Sequence, residues 1–172
     1  ESQSFVLNNK YEYSYDENGN RTLYIGYIWN YESQSFVPSF KIEYSYDENG
    51  NKTLDINYNW NYESQSFVPD HKWEFSYDEN GNITLYIFYW WNSESQSFVP
   101  YFKQEHSYDE NGNQTLYIRY SWNSESQSLV PDYKWEYSYD ENNFKTNETI
   151  YTWYPELEIF KPSFKMDIST LS

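Results

Sequence analysis

The sequence predicts an all-β fold, an antiparallel β-meander that gains two strands with each 31-residue repeat. Three observations carry this. The block ESQS recurs at Glu1, Glu32, Glu63, Glu94 and Glu125, and YDENGN keeps the same step at Tyr15, Tyr46, Tyr77 and Tyr108, changing to YDENNF at Tyr139. Such a period marks a repeat architecture whose units pack mainly on their neighbours. Aromatic residues make up 24% of the chain and alanine is absent, so strand formers abound and helix formers are scarce. Between the two blocks the residues alternate with period two, which means strand. Units start at residues 1, 32, 63, 94 and 125, and a degenerate half-unit at 156–172 reads as an end cap. Residues 1–172 are thus one array of about 11 strands, beginning inside a repeat as a piece of a longer polypeptide would.

In the first strand, KYEYSYD, Tyr11, Tyr13 and Tyr15 point one way and Lys10, Glu12 and Ser14 the other. A three-residue loop, Glu17-Asn18-Gly19, follows, with a type I turn and Gly19 left-handed as a bulge. It is preferred to a two-residue Asn18-Gly19 turn because it pairs Tyr15 with Arg21, Tyr13 with Leu23 and Tyr11 with Ile25. That register gathers the apolar residues on one face. In the fifth unit Asn143 replaces the glycine, and asparagine is the next-best left-handed residue. The second strand, RTLYIGYIW, puts Leu23, Ile25, Tyr27 and Trp29 on that face and Thr22, Tyr24, Gly26 and Ile28 opposite. A four-residue loop then pairs Trp29 with Phe36 and keeps Phe36, Phe40, Ile42, Tyr44 and Tyr46 beside the apolar set. Pro38 has no N–H, so its strand carries an edge, a bulge or loose pairing there. The tail supplies one last strand.

An open aromatic face of this width exceeds what soluble monomers expose. Strand twist accumulates, so the expectation is a twisted or coiled sheet that buries one aromatic face. A face-to-face dimer, or cover by flanking domains, are the alternatives.

The net charge of −16 speaks against nucleic acid and anionic membrane surfaces as partners. No stretch has the length and apolarity of a membrane-spanning helix. There is no cysteine, hence no disulfide and no thiolate metal site. The acidic pairs, Asp16/Glu17 and their counterparts, all fall in the same turn and read as a solvated edge. The D-E-N-G-N turn partly resembles the start of a calcium loop but lacks the closing bidentate acid. No metal and no cofactor are expected. The Asn-x-Thr sequons at Asn20, Asn51, Asn82 and Asn113 follow from a turn asparagine preceding a strand threonine; a fifth stands at Asn147.

His71 and His106 stand in for aromatic residues of other units and read as packing or rim positions. Glu12, Glu43, Glu74, Glu105 and Glu136 recur beside Lys10, Lys41, Lys72, Lys103 and Lys134, a ladder of cross-strand charge pairs on the polar face. A glycosidase needs two unlike carboxyls in one cleft, not one glutamate in every unit. With no nucleophile elbow or phosphate loop either, no enzyme is expected. The informative residues are those that change between units. The position of Gly26 reads Gly26, Asn57, Phe88, Arg119, Ile150, and that of Ile28 reads Ile28, Asn59, Trp90, Ser121, Thr152. On this face Tyr24, Tyr86, Phe88, Trp90, Tyr117 and Arg119 are the candidate contacts for a protein or glycan partner, offering flat aromatic platforms.

The unit YDENGNxTLYIxYxWNxESQSFVPxxKxEYS resembles the tandem β-repeats of large secreted Bacteroidetes proteins, exported by type IX secretion and attached to the surface. Its Tyr15, Asp16, Gly19, Asn20 and Thr22 core is also similar to the YD repeats of Rhs-type proteins, whose step is shorter. The first resemblance implies an extracellular or cell-surface location and a structural or adhesive role, with no catalytic residues. The expected function is therefore a non-catalytic surface scaffold or adhesin segment. A carbohydrate-binding array and a purely mechanical spacer are the alternatives. Its partner is a surface protein or polysaccharide, with self-association through the aromatic face as a further mode.

Overall fold

The computed structural model, which describes residues 8–168, is all-β. Its strands are β1 (Asn9–Tyr15), β2 (Arg21–Asn30), β3 (Ser35–Tyr46), β4 (Lys52–Asn61), β5 (Ser66–Tyr77), β6 (Ile83–Asn92), β7 (Ser97–Tyr108), β8 (Gln114–Asn123), β9 (Ser128–Tyr139), β10 (Lys145–Tyr154) and β11 (Ile159–Asp167). A 3₁₀ turn at Pro155–Leu157 precedes the last strand. All strands join one 11-stranded antiparallel sheet in sequence order, the meander that the repeat implies. The first ESQS block and residues 169–172 lie outside the described residues. The chain divides into two compact units, Glu1–Trp73 with Trp90–Phe98, and Glu74–Tyr89 with Val99–Ser172.

Each D-E-N-G-N turn is the three-residue loop. The Gly19 N–H donates to the Asp16 carbonyl over 3.1 Å, and the Asp16 N–H donates to the Asn20 carbonyl over 2.9 Å. Gly19 sits at φ +84° and Gly50 at +82°, where a Cβ is unwelcome, and Asn143 takes φ 64° in the fifth unit. The aspartate staples the turn from within. Asp16 Oδ1 accepts from the backbone N–H of Asn18 and Asn20, and Oδ2 accepts from the Asn20 side-chain amide. Asp47, Asp78 and Asp109 repeat the set. A methyl group at Gly50 would meet only the Asn20 side chain at 3.8 Å, so space is not the constraint. Gly50→Ala is expected to cost about 1 kcal/mol through its backbone angle alone, and Gly50→Asn less. Equal losses in urea melts would contradict that account.

The other loop also explains its own sequence. Asn30 pairs with Ser35 around residues 31–34, and Trp29 pairs with Phe36. Asn30 Oδ1 accepts from the backbone N–H of Glu32 and Ser33, both at 2.9 Å. Gln34, Gln65, Gln96 and Gln127 all take φ 50° to turn the chain back. ESQS is thus loop grammar, and its asparagine cap recurs at Asn61, Asn92 and Asn123.

The expected pairing beyond the first turn is wrong by one residue. Tyr15 does pair with Arg21, but Ser14 pairs with Leu23, which leaves Thr22 as an extra residue on β2. Tyr13 then faces Tyr24 and Tyr11 faces Gly26, rather than Leu23 and Ile25. Thr53, Thr115 and Thr146 are skipped in the same way. A second bulge follows the proline: Tyr27 pairs with Pro38 and Gly26 with Phe40, leaving Ser39 unpaired. Asp132 and Ser163 are its counterparts. Each bulge adds one residue to one strand and so exchanges the faces of everything beyond it. Phe40, Ile42 and Tyr44 therefore do not lie beside Trp29 and Phe36 as expected.

Two faces of unlike character result. One is nearly constant over the first four units: Leu23, Ile25, Tyr27 and Trp29, joined by Lys10, Glu12 and Phe36. The other is variable: Tyr24, Gly26 and Ile28, joined by Tyr11, Tyr13, Phe40 and Ile42. The most buried residues lie on the variable face, not on the expected one. Phe88, at 6% exposure, is the buried hydrophobic residue of the described chain, and Asp55, at 7%, is the buried charge.

Candidate functional site

Polar groups of the constant face are tied to one another. Within β1, β3, β7 and β9 a lysine bonds the glutamate two residues on, as Lys41 Nζ does Glu43 Oε1 at 2.7 Å. The cross-strand contact is a tyrosine, not a charge pair as expected: Tyr58 Oη donates to Glu43 Oε2 at 2.7 Å, and Lys41 Nζ lies 3.9 Å above the Tyr58 ring. Tyr120, Glu105 and Lys103 repeat the triplet, as do Tyr151, Glu136 and Lys134. The hydrogen bond to Glu12 carboxylate, with burial, pushes the Tyr27 hydroxyl up to about 12. For Tyr120, burial and then Glu105 push it up to about 12. Glu12 is held below its usual value by Lys10 and Tyr27. In each triplet one carboxylate oxygen accepts from the lysine and the other from the tyrosine.

The variable face is where space opens. In the compact unit formed by Glu74–Tyr89 and Val99–Ser172, a cleft of about 390 Å³ is lined by Phe75, Ile83, Tyr86, Gln104, His106 and Tyr108. A neighbouring cleft of about 270 Å³ is lined by His106, Gln114, Tyr117, Trp135 and Tyr137. Phe75, His106 and Tyr137 are the same repeat position, as are Ile83 and Gln114, and Tyr86 and Tyr117. The two clefts are therefore successive copies of one feature, sharing His106. Tyr86 stacks on Phe75 at 5.5 Å and meets Phe102 edge-on at 5.6 Å. Tyr117 lies 5.1 Å from Trp135 and 5.2 Å from His106, and burial pushes its hydroxyl up to about 12. Burial lowers His106 below the usual histidine value, favouring the neutral ring, whose Nδ1 is 2.6 Å from Gln114 Nε2. The lining is flat, aromatic and uncharged, with a few amide and hydroxyl groups. Such a surface suits stacking and hydrogen bonding.

The structure treats the six candidate residues unequally. Tyr86 and Tyr117 each line a cleft. Trp90 is a platform at 47% exposure, with His71 against its edge at 5.6 Å. Tyr24 stacks on Tyr13 at 5.1 Å, with the Arg21 guanidinium 5.0 Å away. Phe88 is not a platform, because it is buried against Tyr101 and Phe102. Arg119 is structural: its Nη1 donates to Tyr133 Oη at 2.8 Å, and its guanidinium packs over the Phe102 and Tyr133 rings.

Sequence reasoning missed Phe75, Gln104, His106, Tyr108, Trp135 and Tyr137, having turned their strands to the other face. A signal for them existed. The Tyr13 position reads Tyr13, Tyr44, Phe75, His106, Tyr137, and the Tyr11 position reads Tyr11, Ile42, Trp73, Gln104, Trp135. Both vary as the Tyr24 position does, whereas Lys10 and Glu12 are as constant as Leu23 and Tyr27. Grouping positions by variability gives the true faces.

Among the described residues, no group of three or more His, Asp or Glu side chains is placed to hold a metal ion. No helix is long and apolar enough to cross a membrane.

Residues 1–72 match the model of DUF3836, a family of unknown function. No curated protein matches the chain significantly. Among solved structures, a protein of unknown function from Bacteroides fragilis NCTC 9343 is 22% identical, with a TM-score of 0.55 over 72% of this chain and 88% of that one. A DUF3836 family protein from Bacteroides vulgatus ATCC 8482 is 16% identical, with a TM-score of 0.44 over 57% and 99%. Another, from Parabacteroides distasonis ATCC 8503, is 18% identical, with a TM-score of 0.43 over 59% and 93%. The likeness to the Bacteroides fragilis protein is one of fold: this chain shares its β architecture.

Proposed function

We propose that this chain is a non-catalytic repeat module of a secreted or cell-surface protein, a scaffold that displays an adhesive face to a protein or polysaccharide. The division of labour within the repeat carries the reading. Constant residues are spent on turn staples, loop caps and Lys–Glu–Tyr triplets, while change between units gathers on the face where the clefts open. The resemblance of the repeat to surface-attached Bacteroidetes repeats supports the location.

The two equivalent clefts favour a polysaccharide as the partner, because a polymer crossing the strands would meet the same aromatic lining twice. Neighbouring copies lie two strands apart, about 10 Å, which suits an extended glycan better than a single sugar. Glycan arrays are the direct test. Binding is expected to strengthen from short to longer oligosaccharides, and Tyr86→Ala with Tyr117→Ala is expected to abolish it while the circular dichroism spectrum is retained. No ligand on glycan or protein arrays, with unaltered cell adhesion by the double variant, would leave a mechanical spacer as the function.

A further inference from the structure

Strand β1 repeats β3, β7 and β9 in sequence but not in surroundings. Each of those strands is flanked on both sides, whereas among the described residues β1 pairs with β2 alone. Every residue of β1 is exposed, while all of its counterparts Phe40–Tyr46 in β3 except Ser45 are half-buried. The Lys10 side chain is 48% exposed, against 19% for Lys41, 22% for Lys103 and 18% for Lys134. Tyr46, Tyr108 and Tyr139 each donate a hydroxyl hydrogen bond to a backbone carbonyl 25 residues earlier, on Arg21, Ile83 and Gln114. Tyr15 holds the same repeat position at 60% exposure, and no carbonyl of the described residues receives its hydroxyl. The tyrosine, the lysine and the strand edge all lack the same neighbour.

We propose that the free edge of β1 is an acceptor for one antiparallel strand of the even-numbered type, supplied by a further copy of the 31-residue repeat. Register follows from the β2–β3 ladder, in which Glu43 faces Leu23, Ile42 faces Tyr24 and Phe40 faces Gly26. Moved by one repeat, it sets Glu12 opposite the leucine of the incoming strand and Tyr11 opposite its variable aromatic position. The Tyr15 hydroxyl then reaches a carbonyl at the start of that strand, and Lys10 is covered. A second molecule of this chain does not qualify as donor. Its even-numbered strands are all internal to the sheet, and releasing one would break two ladders. Strand addition of this kind takes its affinity from main-chain hydrogen bonds and its specificity from alternate side chains.

The test compares the 172-residue chain with a version carrying an extra copy of residues 63–93 ahead of Glu1. Amide hydrogen exchange in β1 is expected to slow at least about tenfold, as an edge becomes an interior strand. Tyr15 is expected to lose its reactivity toward tyrosine nitration. A control extension with proline at the two positions copied from Tyr86 and Phe88, whose N–H groups would face β1 as those of Tyr24 and Gly26 face β3, cannot pair and should leave both readouts at the parent level. Unchanged β1 exchange and Tyr15 nitration in the unmodified extension would overturn the proposal. So would concentration-dependent protection of β1 in the parent chain, which would mean that a second molecule fills the edge.

Discussion

Phe88→Ala is expected to lower stability by about 3–5 kcal/mol, the range for truncating a buried aromatic ring. Phe88 is the point of deepest apolar burial in the described chain, and its ring packs on Phe102 at 5.8 Å and against Tyr101 at 6.1 Å. Removing it leaves a hole that neighbouring rings, held edge-on and tilted, fill poorly. Trp90→Ala, two residues along the same face, should cost less than about 1 kcal/mol, because the indole is largely solvated already. Urea denaturation of the two variants reads the difference directly. Equal losses would mean that the variable face is buried uniformly, and the display of aromatics proposed here would fail with it.

The second large effect belongs to a charge. Asp55 occupies the position of Tyr24 yet is buried at 7% exposure, with Lys52 Nζ at 2.6 Å and the Asn57 amide donating at 3.2 Å. Taking the lysine away strands a carboxylate with little water, so Lys52→Met should cost about 2–4 kcal/mol. Lys52→Met combined with Asp55→Leu should recover most of that, since the second change removes the group left unpaired. A double variant no more stable than Lys52→Met would show that the ion pair is not what holds this position. Lys145 and Glu148 restate the arrangement in the fifth unit at 2.6 Å. A carboxylate therefore enters the aromatic column only where the strand's first residue is a lysine.

Both effects sit on a face that sequence reasoning took to be solvent-facing, and the cause is local. The three-residue loop forms as expected and Tyr15 pairs with Arg21. The ladder beyond it is broken, because β2 skips Thr22 one step later and β3 skips Ser39. Nothing in a threonine or a serine announces a bulge. Pro38 came closer to doing so, because a residue without an N–H leaves a gap in the ladder that an extra residue can absorb. Assigning faces by hydrophobicity failed for a related reason. In this chain tyrosine, tryptophan and phenylalanine populate both faces, so polarity does not separate inside from outside.

The sequence by itself determined the repeat, the number and order of the strands, the lengths of the two loops and the left-handed residue of the D-E-N-G-N turn. The loops are properties of a few adjacent residues, where a backbone N–H donating to the Asp16 or Asn30 side chain and one backbone angle settle the outcome. Only the tertiary structure decided which residues share a face, that Phe88 is buried while Trp90 is not, and where the clefts open. Those depend on pairing parity across strands, and a single extra residue reverses parity for the rest of the ladder without altering any local preference.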